Sequence, residues 1–203
     1  MTVLPSLVTV ADLAARLGRT LTPTQELQAQ ALLDDASSVV RAYVRLDITR
    51  ATTTDTFTMR RADPLLHRCG GVVTLPQRPV VDIASVSVNG TAMTDWWQDD
   101  NEILVRAWAW DQPPAAHRPP QVTVTYTHGW DPVPGDIQAI VMQAANRVLV
   151  NPSGIRSETV GGESVTYLIP AVGEYLGALL SNTEKKVLDR YRRTAASVRL
   201  RGC

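Results

Sequence analysis

The 203-residue sequence is poor in several things that would point to particular functions. Two cysteines, Cys69 and Cys203, lie far apart and fit no metal-ligand spacing, so neither a disulfide framework nor a thiolate zinc site is expected. Three histidines, His67, His117 and His128, are scattered and form no HExxH-like pair, which argues against a zinc hydrolase. Net charge is absent, with 20 Lys+Arg against 20 Asp+Glu, where a general nucleic-acid binder would be clearly basic. No P-loop and no G-x-S-x-G elbow occurs, and the Gly70-Gly71 and Gly161-Gly162 pairs read as turns. No apolar run spans a bilayer: Tyr167 to Leu180 is broken by Pro170 and Glu174. The opening residues lack a basic region ahead of an apolar run, so no signal peptide is expected and the chain reads as soluble.

What is present has a strong arrangement. Lysine occurs only at Lys185 and Lys186, so arginine carries nearly all positive charge; with abundant Ala and Val this composition suits a GC-rich genome. Of five tryptophans, Trp96, Trp97, Trp108 and Trp110 fall in one short segment. Adjacent residues on a strand face opposite ways, so at least one of Trp96 and Trp97 is expected to point outward, where tryptophan serves interfaces; packing of the rest into the core is equally open.

Helix signals cluster at both ends. Thr9 and Asp12 form an approximate capping box before Leu13, Ala14 and Leu17, with Gly18 as the stop. Thr22-Pro23-Thr24-Gln25 opens a second helix to about Val44, with Leu32, Ala36, Val39, Val40 and Tyr43 as the expected buried stripe. Ile137, Ile140, Val141, Ala144, Ala145, Val148 and Leu149 make a full amphipathic stripe closed by Asn151-Pro152. Ser181-Asn182-Thr183-Glu184 is a capping box predicting a last helix through Arg193.

Between 52 and 126 the texture is β. Thr54 to Met59, Val72 to Leu75, Val80 to Val88, Ile103 to Val105 and Val122 to Tyr126 read as strands, and Asn89-Gly90 as a tight hairpin turn. Asp111 to Pro120, with four prolines, reads as a loop. The acidic Asp99, Asp100 and Glu102 beside Asn101 read as turn formers rather than a cation site. Residues 155–169 alternate around Gly161-Gly162 as a hairpin that must pack on something, through Val160, Val165 and Tyr167. The fold class is α+β: a helical core from the N- and C-terminal segments, a β-rich insertion and a C-terminal β-hairpin. Its expected parts are 1–51 (core helices), 52–128 (insertion), 129–193 (helices and hairpin completing the core) and 194–203, a flexible basic tail. From Lys185 to Arg201 there are seven basic residues, Lys185, Lys186, Arg190, Arg192, Arg193, Arg199 and Arg201, against the single acid Asp189. A solvated helix face, a docking tail and a DNA contact all fit that pattern.

The segments 124–137 (VTYTHGWDPVPGDI), 151–167 (NPSGIRSETVGGESVTY) and 181–192 (SNTEKKVLDRYR), with the helical layout of 10–44, resemble the head-to-tail connector (adaptor) proteins of long-tailed double-stranded DNA phages, especially those of actinobacterial hosts. The resemblance runs strongly over about 122–193 and loosely over the β insertion. It implies a structural protein rather than an enzyme, and a virion ring, twelve-membered in relatives, beneath the portal. Such a ring extends the DNA channel, lets genomic DNA pass through without sequence-specific binding, receives a stopper or tail-completion protein, and needs no cofactor, metal or membrane. It would be made in the host cytoplasm and end at the head-tail junction. Carried onto this sequence, the basic residues of 181–203 would dock on the portal. The hairpin 155–169 would meet a neighbouring copy, and Trp96 and Trp97 would offer an exposed aromatic interface. The rivals are another neck component, a small metal-dependent hydrolase near His128, Asp131 and Asp136, and a DNA-binding module.

Overall fold

The structure, a computed structural model, describes residues 4–58, 71–99, 102–105, 121–150, 157–160, 163–166 and 180–192. Its described elements run α1 (Val10–Leu17), α2 (Pro23–Val44), β1 (Ala51–Thr58), β2 (Gly71–Thr74), β3 (Val80–Val88), β4 (Thr91–Ala92), β5 (Trp96–Asp99), β6 (Glu102–Val105), β7 (Gln121–His128), α3 (Gly135–Val150), β8 (Ser157–Val160), β9 (Glu163–Thr166) and α4 (Asn182–Leu188). The fold is mixed α+β. Among the described residues the chain divides into two compact units, one built from the residues up to Leu46 and from Val133 to Arg192, the other from Asp47–Pro132.

The helical unit starts from caps the sequence encodes. Thr9, Thr22 and Ser181 each accept the backbone N–H of the residue three ahead, and Asp12, Gln25 and Glu184 reach back, giving three complete capping boxes. Gly18 ends α1 in the left-handed conformation. Arg45 ends α2 in that same conformation, at φ 61°. α2 buries Ala29, Leu33, Ala36, Ser37, Val40 and Val44, and α3 buries Ile137, Ile140, Val141, Met142, Ala144 and Ala145. Alanines on both helices let the two axes approach closely. The buried stripe of α2 lies about one position round from the expected one. Leu32, Val39 and Tyr43 are only half-buried, and Leu33, Ser37 and Val44 take the buried places beside Ala36 and Val40. Ser37 lies within that seam without cost: its Oγ accepts the Leu7 N–H at 3.0 Å, tying the segment ahead of α1 to α2. α4 ends at Leu188 rather than Arg193. A turn follows, with Tyr191 and Arg192 donating to the carbonyls of Leu188 and Asp189.

The second unit holds a four-stranded antiparallel sheet in the order β1-β7-β3-β4 and a three-stranded one in the order β2-β6-β5. β3 and β4 meet through Asn89 and Gly90, both at positive φ (51° and 83°), the geometry of a two-residue primed turn. The core is Val73, Leu75, Ile83, Val86, Val88, Val122, Val124 and Tyr126, with Phe57, Val80, Met93 and Trp96 packed on it. The opposite face of the larger sheet is a hydroxyl ladder. Thr52–Thr127, Thr54–Thr125 and Thr56–Thr123 pair across strands at 3.0, 2.9 and 3.0 Å, as β-branched polar residues do on a solvated face. β8 and β9 form a separate hairpin, Ser157 opposite Thr166 and Val160 opposite Glu163. No described helix is long and apolar enough to cross a membrane.

Candidate assembly surfaces

His128 closes β7 fully buried, its Nε2 3.0 Å from Thr53 Oγ1 and its Nδ1 without a partner. Burial holds its pKa below the ordinary value, against the pull of the Asp47 and Asp55 charges. A ring in that state suits a core position beside Tyr126, 5.5 Å away between ring centres. Tyr126 in turn donates to Asp55 at 2.7 Å, and burial with that bond drives its phenol strongly upward. Asp131 is exposed. Asp136 is committed elsewhere: Tyr191 donates to its Oδ1 at 2.8 Å and Arg190 forms an ion pair with its Oδ2. Burial raises the Asp136 carboxyl, but those bonds outweigh it and hold the group below its usual range. His128 and Asp136 therefore have local structural roles, and Asp131 stands in solvent. Among the described residues no group of three or more His, Cys, Asp or Glu could hold a metal ion. His67, His117, Cys69 and Cys203 lie outside the described residues.

Of the acidic cluster, Asp99 pairs with Glu102 across β5 and β6, and Asn101 lies outside the described residues. Asp100 itself is outside the described residues. The adjacent tryptophans split as strand geometry requires. Trp96 turns inward, half-buried against the β core, and its indole N–H donates to the Met93 carbonyl at 3.1 Å. Trp97 is 47% exposed. Trp97 is thus the exposed member of the pair, and Trp96 is only partly exposed beside it. Trp108 and Trp110 lie outside the described residues. So does Tyr167, while the backbones of Val160 and Val165 take their places in β8 and β9.

The basic C-terminal segment is not uniformly available. Arg190 is held by Asp136 and by Tyr191 Oη at 2.9 Å, and Arg192 lies over the Tyr43 ring at 5.2 Å. Tyr43 donates to Asp189 at 2.6 Å, a bond that raises its phenol pKa. These contacts pin residues 189–192 to α2 and α3. They are local roles for Arg190 and Arg192, which the expectation of a docking tail had not included. Lys185 and Lys186 stay on the outer side of α4. Arg193, Arg199 and Arg201 lie outside the described residues.

Sequence reading missed Arg147–Glu184, the main ion pair between α3 and α4, with Nη1–Oε1 at 2.6 Å and Nη2–Oε2 at 3.1 Å. Its only signal was the double demand on Glu184, which also caps α4 by accepting the Ser181 N–H at 2.7 Å. Tyr43–Asp189 and Tyr126–Asp55 span 146 and 71 residues and leave no local signature.

No family model matches the sequence, and no curated protein matches it. Among solved structures the chain is similar in fold to a chain of the neck of an empty GTA (gene transfer agent) particle computed with C6 symmetry. The TM-score is 0.56 at 15% sequence identity, over 98% of this chain and 96% of that one.

Proposed function

We propose that the chain is a structural component of the neck of a phage-like particle, and within it the head-to-tail connector that forms a ring beneath the portal. The observation that carries this reading is the likeness of fold to a neck chain, which runs almost end to end through both chains and so includes the β-rich unit. The sequence resemblance over about 122–193 supports it separately. Sixfold averaging is compatible with a ring of six or of twelve, and twelve is the number the resemblance implies. The ring extends the DNA channel and receives a stopper or tail-completion protein at the head-tail junction, after synthesis in the host cytoplasm. It works by assembly, with no catalytic step and no cofactor, and many modest contacts give strong attachment through multivalency.

In this reading the tail beyond Arg192, with Arg193, Arg199 and Arg201, docks on the portal, and the clamps at Arg190 and Arg192 aim it. The hairpin bearing Val160, Val165 and Tyr167 adds contact with a neighbouring copy, and Trp97 is offered to the next component. The test is to mix the purified protein with portal rings of the same particle and image the product. A ring with a central hole seated on the portal is expected. Absence of any complex with the portal, with binding to the tail end instead, overturns the connector assignment in favour of a tail-completion protein. Removing 194–203 should abolish seating on the portal; normal seating would end the docking role of the tail.

A further inference from the structure

We infer that neighbouring copies in the ring meet through two different patches of the helical unit, an acidic stripe around Leu27 on α2 and a basic face around Val187 on α4. This rests on the neck reading above. From Pro23 to Val40, α2 carries Glu26, Asp34 and Asp35 and no Lys or Arg. Leu27, Gln30, Asp34 and Ser38 share one side of the helix, turned away from the Ala29–Leu33–Ala36–Val40 seam packed on α3. Leu27 is 76% exposed, the most exposed of the large apolar side chains described, and Gln30 donates to Asp34 at 3.0 Å, holding that carboxylate in the stripe.

α4 shows the opposite sign. Glu184 and Leu188 face inward, which turns Lys186 and the 39% exposed Val187 outward with Lys185 beside them. Among the described residues neither lysine has an ion-pair partner, nor has Asp34 or Asp35. Each patch is therefore an exposed aliphatic side chain flanked by unpaired charge of one sign, and the two signs complement one another. Both halves of the pair belong to one chain whose net charge is zero, which makes a second copy the fitting occupant.

The placement suits a ring. Tyr43, bonded to Asp189 directly after α4, marks the side of α2 on which α4 lies. Leu27 precedes it by sixteen residues, about 160° round the helix and about 24 Å along it. The two patches thus face different ways. A self-complementary patch would stop at a dimer, whereas two unlike patches on different sides propagate head to tail and close when the rotation allows.

The test uses charge-reversed variants mixed with portal rings, with ring formation read by electron microscopy and folding checked by thermal melting. Asp34→Lys with Asp35→Lys makes both patches basic; Lys185→Glu with Lys186→Glu makes both acidic. Each folded variant alone should fail to form rings, because like charges then face each other. An equimolar mixture should restore them as alternating copies, a result that a merely structural role of these residues would not give. Leu27→Lys, which sets a positive charge against the basic face, should also abolish rings while leaving the fold intact. Rings from either reversed variant alone, or no rescue in the mixture, overturn the contact and leave the neck reading standing. Failure of the wild-type protein to assemble on portal rings overturns the neck reading and this contact with it.

Discussion

Arg147 on α3 and Glu184 on α4 are joined by a two-pronged ion pair, and the same Glu184 carboxylate closes the cap of its own helix. One side chain thereby starts α4 and fastens it to the bundle. Burial pushes the Glu184 carboxyl up, but the Arg147 and Ser181 bonds outweigh it and hold the group below its ordinary 4.5. The folded state therefore favours the carboxylate more than the unfolded chain does. That contribution is fully present above pH 4.5 and fades as pH falls through the lower folded value. Glu184→Gln should cost about 2 kcal/mol at neutral pH and flatten the acid limb of the stability profile, measured by denaturant unfolding.

Arg45→Gly should stabilise the helical unit. Arg45 is exposed and sits at φ 61°, a conformation that costs a side-chain-bearing residue but not glycine. An increase of about 0.5–1 kcal/mol in unfolding free energy is expected from chemical denaturation.

Gly129→Ala should do the reverse in the β-rich unit. Gly129 has φ 89°, and an added Cβ would lie 2.4 Å from the Thr49 carbonyl oxygen. That oxygen belongs to a backbone segment held by the exchange of bonds between Ile48, Arg50 and Trp130, so it cannot yield cheaply. The loss should be about 3 kcal/mol or more, seen as a large fall in Tm or failure to express in soluble form.

His128 should give the β-rich unit a pH dependence of its own. Its folded pKa lies below the ordinary 6.5, so the unfolded state takes up the proton first as pH falls. Stability is then undiminished above about pH 6.5 and declines below it until the folded ring also titrates. Comparing Tm at pH 7.5 and 5.5 for wild type and His128→Gln checks this: the acid-induced drop should shrink in the variant.

Trp96→Ala and Trp97→Ala should separate. The first removes a half-buried ring from the β core and should cost about 2–3 kcal/mol. The second removes an exposed ring and should leave stability within about 0.5 kcal/mol, while weakening any assembly step in which Trp97 is buried.

The sequence by itself determined the local events. Caps at Thr9, Thr22 and Ser181, the primed turn at Asn89-Gly90, the α3 stripe and the pairing of β8 with β9 are all set by residues a few positions apart. Their hydrogen bonds and dihedral preferences act over that range, so they were legible, and with them the α+β class. The extent of α4 was misread because nothing local stops it at Leu188; the turn beyond is held by Tyr43 and Asp136 from other helices. The tertiary structure alone decided that Leu33 rather than Leu32 enters the α2 seam, that Trp96 faces inward and Trp97 outward, and that Arg190 and Arg192 are clamped within the unit. Each of those outcomes depends on which distant surface packs against the residue. A one-residue shift of stripe or strand face is decided by the sum of such contacts, not by propensities along the chain.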